Sequence, residues 1–516
     1  MGDRNAEEGR NPGEAGACGV SGSEERDSFV RQGEFRRRRG HRNHPEEGNS
    51  GTCIREHLRL SHKARALHAC ARQETGLNGG ERPARFFPLL LFILAIFLTF
   101  IHPHFRVPFT SKIIHIDLGV ATLICASILL IFSGNRIDLL QGGIVGIENL
   151  RPYSVIVLVL SLSFICLTLE YAGFFEFVAL KFLSSAGTGR KLFLNVFLLS
   201  YILTLFTNND IVILTLTFII FHICRHAKLN PMPYLFLQFF VTNIAGMTLY
   251  IGNPTNIIVA DFAGIDFVKF AKWMVLPSLV STLACAGVVY LIFRRQIPER
   301  LETQAQEMHD VETMRDRGAA AVALICLSLT VLLMSLPKTV VRIPNWVIPL
   351  ILALPLAVYI ASRGFLLKIV QRIPWKIAPF LLGLFILVEG LAASGWTGMF
   401  SSVLSGIPDS GPMSVLLPCL MASWFSGFMN NHPMTVFFSR SLPSSWRGMF
   451  LAIIAGSNIG PTTMITGSLA GIMWSEILAQ HGRAISFSEF SKYGIIVSTV
   501  AIILASFIIW LELGML

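Results

Sequence analysis

Apolar runs of about 20 residues, recurring from residue 86 almost to the C-terminus, leave this chain few folds to choose from. A helix of that length matches the hydrocarbon core of a bilayer, about 30 Å thick at 1.5 Å per residue. Inside lipid every backbone polar group needs a partner from the chain itself, so such runs must be helical. Spans are expected at about 86–102, 113–133, 153–172, 270–293, 318–336, 345–362, 374–393 and 492–512. Composition agrees, with 53% hydrophobic and 14% charged residues, against roughly 25% charged in a soluble domain. The expected fold class is an all-α polytopic membrane protein.

The net charge of +10 does not point to nucleic acid, because the basic residues sit mostly between apolar runs, as in cytoplasmic loops. The nine cysteines are scattered without a C-x-x-C pair, so no metal or redox cofactor is expected. Residues 1–85 are polar and include Arg36-Arg37-Arg38-Arg39. They lack the apolar core of a signal peptide and read as a disordered tail.

Four apolar stretches, 192–224, 234–260, 412–440 and 448–478, are interrupted by Asn, Gly or Pro where a simple span would carry Leu. They fall in two halves, 86–293 and 318–516, on either side of a charged loop at 294–317. Three landmarks recur in the same order. Glu170 and Glu389 lie 219 residues apart, Asn208-Asn209 and Asn430-Asn431 lie 222 apart, and Asn243 and Asn458 lie 215 apart. The third landmark extends to Thr248 with Asn253, matched by Thr463 with Ser468. Near-constant offsets of this kind indicate duplication.

Interrupted segments at corresponding places in two halves are the best sequence pointer to a transporter site, since non-helical backbone at membrane depth is tolerated only where it lines protein or a cavity. The stretches 192–224 and 412–440 read as re-entrant hairpins with the paired asparagines at their tips. The stretches 234–260 and 448–478 read as broken helices, unwound near 252–256 (GNPTN) and 457–461 (SNIGP). Each half then crosses about five times, and an odd number inserts the second half upside down. The positive-inside bias puts three features on the cytoplasmic side: the central loop, the first hairpin's basic ends (Arg190, Lys191, Arg225, Lys228) and the loop 363–376.

Ionisable groups within spans cost about 2.5–3.5 kcal/mol on insertion scales, so each calls for a reason. Glu170, Glu389, Asp210 and His432 are the candidates for proton coupling; the two glutamates also suit headgroup depth at span ends. Thr207, Asn208, Asn209, Asn430, Asn431, Asn243, Thr248, Asn253, Ser457, Asn458, Thr463 and Ser468 are the candidate solute ligands. An amide offers donors and acceptors together, so these residues suit hydroxyls, oxyanions or a dehydrated cation. The plainer role for such groups is interhelical hydrogen bonding. No nucleophile elbow, zinc-protease motif or P-loop is present, which argues against an enzyme and against a built-in ATPase.

The stretches EYAGFFEFVALKF, FTNNDIVILTLTFII, GFMNNHPMTVFF and GSNIGPTTMITGSLAGIMW resemble the arsenical-pump membrane protein (arsenite permease) family of the ion transporter superfamily. The resemblance runs from about 86 to 512. It implies an inner-membrane carrier that exports arsenite or antimonite in exchange for protons, sometimes with a separate arsenite-stimulated ATPase; a homodimer is also compatible. Its alternatives are a sodium-linked carrier, either sodium/proton antiporter or sodium–carboxylate transporter, and a transport-incompetent membrane sensor. The chain departs from the family at the first tip, which reads TNND, at the SNIGPTTMIT segment and at His432.

Overall fold

The apolar runs form helices whose outer faces are greasy and whose inner faces carry amides. The computed structural model describes residues 82–101, 104–106, 113–146, 150–300, 314–337, 339–442 and 447–514. The expected tail and most of the central loop therefore lie outside the described residues. The membrane helices all belong to one compact unit, Asn78–Leu516.

Its first half contains α1 (Arg82–Ile101), β1 (His104–Arg106), β2 (Ile113–His115), α2 (Leu118–Phe132), α3 (Arg136–Leu140), α4 (Pro152–Tyr171) and α5 (Phe174–Ser184). It continues with α6 (Gly189–Phe206), α7 (Asn209–His226), α8 (Met232–Ala245), α9 (Pro254–Phe262) and α10 (Phe267–Phe293). The second half runs α11 (Arg317–Ser335), α12 (Val347–Ser362), α13 (Leu366–Arg372), α14 (Ile377–Ala393), α15 (Trp396–Leu404) and α16 (Met413–Met429). It closes with α17 (Asn431–Ser441), α18 (Arg447–Thr463), α19 (Leu469–Gln480) and α20 (Phe487–Gly514). Among the described residues seven helical stretches are long and apolar enough to cross a bilayer, and five shorter apolar helices accompany them.

Phe132, Val358, Leu90 and Leu291 point outward, more than 60% exposed, while Asn243, Asn256 and Asn458 are fully buried. That arrangement suits an apolar solvent, in which the outer surface gains from lipid and polar groups must find partners inside. Close helix contact does the rest. At Gly460 a Cβ would sit 2.4 Å from Ser426 Cβ, and at Gly456 2.5 Å from Ala422 Cβ, so α16 and α18 lie backbone to backbone. Gly383 does the same for α14 against Thr122 of α2. Small residues at such seams are what membrane helices use in place of a hydrophobic driving force.

Three expectations need correction. The span at 113–133 is shorter, because Asp117 caps α2 by accepting the Val120 N–H at 3.1 Å and Ile113–His115 pairs with His104–Arg106 instead. The first break occupies 246–253 and ends where GNPTN begins: Asn253 caps α9 and Pro254 takes its first turn. The second break is not at SNIGP. Helix α18 runs through it to Thr463, held by back-bonds from Ser457 and Asn458 to the Ile454 carbonyl, and unwinds only at 464–468. The glycines there serve packing against α16 rather than unwinding. The short helices α5, α13 and α15 are not foreseen, being too brief for a periodic signal.

One end of the bundle gathers the loops that carry most charge. Arg190 pairs with Glu299 at 3.1 Å, Arg372 with Glu170 at 3.5 Å, Arg363 with Asp316 at 3.8 Å and Arg315 with Glu176 at 4.0 Å. A cleft of about 900 Å³ opens there, between the ends of α7 (His222, Arg225) and α19 (Gln480, His481). A second cleft, about 640 Å³, is lined by Arg151 and Ser154 at the start of α4 and by Asp261 near the end of α9. Because α4 starts at the second cleft and brings Glu170 to the first end, the two clefts face opposite ends.

Candidate solute site

Each half turns its chain twice in the interior, and each turn is stopped by a polar residue that caps the next helix. Asn208 closes the first hairpin, its Oδ1 accepting the Asp210 N–H at 2.9 Å at the start of α7. Asn430 closes the second, accepting the His432 N–H at 3.2 Å at the start of α17. The breaks end in the same way. Asn253 accepts the Thr255 N–H at 3.1 Å, and Ser468, its counterpart 215 residues on, accepts the Gly471 N–H at 3.1 Å. These side chains satisfy helix-end donors that would otherwise be stranded away from water.

Hairpin tips and breaks touch. The Asn209 N–H donates to the Gly252 carbonyl at 3.2 Å, and its Nδ2 reaches Asn243 Oδ1 at 3.3 Å. In the second half Thr466 Oγ1 donates to the Gly427 carbonyl at 3.1 Å. The halves join through amides: Asn253 Nδ2 donates to Asn458 Oδ1 at 3.0 Å, and Asn458 Nδ2 to Asn256 Oδ1 at 2.7 Å. Ser457 Oγ donates to Thr255 Oγ1 at 3.2 Å. Hydrogen bonds thus join the first tip to the first break and the first break to α18, while the second tip packs beside them through the contact of α17 with α9 and α18. The N-termini of α7 and α9 lie in this polar cluster and those of α17 and α19 cap at the second tip and break, each carrying roughly half a positive charge. The C-termini of α6, α8, α16 and α18 end at the same tips and breaks, with the opposite sign.

The cluster separates engaged groups from free ones. Asn243 Nδ2 donates to the Phe239 carbonyl at 2.9 Å, and Asn256 Nδ2 to the Gly246 and Leu249 carbonyls at 2.7 and 2.9 Å. Thr248 Oγ1 shares a hydrogen bond with Ser278 Oγ at 2.6 Å, while Thr207 and Thr463 donate back to the Leu203 and Gly460 carbonyls. These residues are committed to one another. At the tips, by contrast, Asn209 Oδ1, Asn430 Nδ2, Asn431 Oδ1 and His432 Nε2 are buried with no partner among the described residues. Leaving such a group unpaired costs about 1–3 kcal/mol, so four in one place call for an account. Asn430 adds backbone strain, with φ at +74° and ψ at 150°, a region that side chains avoid.

The four ionisable candidates separate as well. Glu389 holds Arg440 through contacts of 2.9 and 3.4 Å, and Glu170 holds Arg372. Asp210 and His432 each lie two residues beyond a capping asparagine. Asp210 forms no ion pair among the described residues, and His432 Nδ1 lies 3.3 Å from Asn430 Oδ1 with its ring edge-on to Phe380. Asn256, Thr255 and Ser278 belong to the cluster but are absent from the sequence-derived set. Asn256 stands in the GNPTN stretch, yet only its contacts with Asn458 single it out.

Hairpins and broken helices meeting at a buried polar cluster, inside an apolar exterior, define a membrane transporter, here a multi-pass protein of the cell membrane. The profile of the citrate transporter family (CitMHS) matches residues 92–445, and the chain belongs to that family. The match takes in both hairpin tips and the first break. The chain is similar to the arsenical pump membrane protein of Escherichia coli K12, 29% identical over 353 residues, covering 65% of this chain and 80% of that one. It is also similar to the putative arsenical pump membrane protein of Bacillus subtilis, 26% identical over 378 residues, covering 67% and 85%. Among solved structures it resembles the Alcanivorax borkumensis YdaH transporter, 12% identical with a TM-score of 0.48, covering 83% and 97%.

Proposed function

We propose that the chain is a secondary transporter that exports arsenite- or antimonite-like metalloid hydroxides in exchange for protons. The observation that carries this reading is the set of uncommitted amide groups at the two hairpin tips. Arsenite at neutral pH is an uncharged trihydroxide, which needs acceptors for its hydroxyl protons and donors for its oxygens. Asn209 Oδ1, Asn431 Oδ1 and Asn430 Nδ2 supply both. The hydrogen-bonded cluster contains no Lys or Arg among the described residues, which suits a neutral solute. Asn208, Asn209, Asn430 and Asn431 are the contact residues in this reading. Asn243, Asn253, Ser457 and Asn458 hold the breaks in shape, with Thr207, Thr248, Thr463 and Ser468 beside them.

An inverted arrangement of the halves is supported by chain direction. Helix α6 starts beside α8, where Tyr234 donates to the Gly189 carbonyl, and α8 starts at the large cleft beside Pro231. The α8–break–α9 segment then ends at the opposite cleft. In the second half α18–break–α19 ends at the large cleft, and α16 runs parallel to α18. The two hairpins therefore enter from opposite ends, and each stops where its neighbour breaks. Entry from opposite ends supports re-entrant segments in this reading, although both arms of the first hairpin, α6 and α7, are 18 residues long and by length able to cross a bilayer. Asp210 and His432 take the proton role ahead of Glu170 and Glu389, whose carboxylates are occupied by arginines.

A sodium-linked carboxylate carrier is the second reading, favoured by the family description and by the helix C-termini that turn backbone carbonyls into the cluster. Expression in a host stripped of its own arsenite efflux separates the two. Growth on arsenite is the expected result. Protection from high sodium, or growth on citrate as carbon source, without arsenite resistance would replace the first reading with the second.

A further inference from the structure

Helix α17 carries a polar file that starts at the second tip with His432 and runs beyond the solute contacts. His432, Thr435 and Ser439 stand three and four residues apart, so they share one helix face. All three are at least 97% buried, and His432 Nε2, Thr435 Oγ1 and Ser439 Oγ have no hydrogen-bond partner among the described residues. Unpartnered buried hydroxyls occur elsewhere too, at Ser200, Thr242, Ser423 and Ser426, but only on α17 do they continue from a hairpin-tip imidazole to a buried-edge ion pair among the described residues. Buried threonines elsewhere, including Thr168, Thr204, Thr282 and Thr330, turn back to the carbonyl four residues earlier.

The first half offers no equivalent. At the duplicated positions on α7 stand Asp210, Ile213 and Thr217, and Thr217 Oγ1 is engaged by the Ile213 carbonyl and by Gln238 Oε1. The file therefore has no counterpart on α7. Its inner end is the second hairpin tip. Its outer end is Arg440, whose partner Glu389 keeps a side chain 14% exposed.

We propose that His432, Thr435 and Ser439 form a proton wire linking the Glu389–Arg440 pair at the protein surface to the tip at Asn430. A hydroxyl accepts from one neighbour while donating to the next, and an imidazole does the same through its two nitrogens. Neighbours three and four residues apart on a helix lie about 5–6 Å from each other, a gap that a rotating hydroxyl and one water must close for a proton to pass. The charged or titratable groups on the elements packed against α17 are Glu389 of α14, Asp261 of α9, Arg447 of α18 and Cys419 of α16. Glu389 is tied to α17 through Arg440, the residue next to Ser439. The wire rests on proton-coupled transport as proposed above and gives it a one-sided route, through the second half.

The test uses purified full-length protein in liposomes with a trapped pH dye and arsenite as the probe. In the Thr435→Val, Ser439→Ala double variant, arsenite-driven proton movement should fall at least tenfold. Arsenite/arsenite exchange at equal pH should stay within twofold, and the Thr435→Ser, Ser439→Thr variant should restore proton movement. Normal proton movement in the first variant would overturn the wire, as would equal loss of both activities, the mark of a packing role. Arsenite transport by the unaltered protein with no proton movement would remove the coupling reading itself, and the wire with it.

Discussion

Asn430 shows how one residue can serve folding and function at cross purposes. Its φ of +74° strains the backbone, which costs about 1–3 kcal/mol for a residue with a side chain. Its amide nevertheless caps α17 and presents a free Nδ2. Asn430→Gly should therefore raise unfolding stability in detergent by about 1 kcal/mol while abolishing transport. Asn208→Ala and Asn430→Ala should likewise insert normally and fail to transport; full flux in both would move the site elsewhere. Asp210→Asn should flatten the pH dependence of flux in everted vesicles, since the amide cannot take up a proton, and an unchanged profile would take Asp210 out of the proton path.

The breaks and hairpins depend on pairs of elements rather than on single helices. The contact of α16 with α18 requires glycine at 460, where any Cβ would meet Ser426. Overpacking of this sort typically costs about 1–3 kcal/mol. Gly460→Ala should accordingly lower the midpoint of thermal unfolding in micelles. Asn458 joins the halves through Asn253 and Asn256. Its replacement by Ala strands two buried amides, a loss of about 1–3 kcal/mol for each, so it should destabilise the protein more than Asn431→Ala does. Equal effects from the two would mean that Asn458 carries no special structural load.

Across the whole molecule, the basic loops sit mainly at the end with the larger cleft, which the positive-inside bias assigns to the cytoplasm. Single cysteines at Lys191→Cys and Lys368→Cys should react with a membrane-impermeant maleimide from the cytoplasmic face. Arg151→Cys and Arg342→Cys should react from the outer face. The six cysteines among the described residues are all buried and should stay silent. Labelling of all four sites from one face would contradict a carrier open to opposite ends.

Much of this protein is legible without coordinates. Hydrophobic run length selects membrane helices because lipid offers the backbone no partner, and the near-constant offsets mark positions where the chain turns in each half, at Asn208 and Asn430 and at 246–253 and 464–468. The capping asparagines are readable for the same local reason. The second break escapes such a reading, because glycine and proline at 457–461 look identical whether they unwind a helix or let it approach a neighbour. Nor can the sequence sort the amides. Asn253, Asn256 and Asn458 are joined across more than 200 residues of chain, and only their distances show that they satisfy one another while Asn209, Asn430 and Asn431 keep groups to spare. Helix formation is decided by neighbours along the chain; which polar atoms remain available to a solute is decided by tertiary contacts.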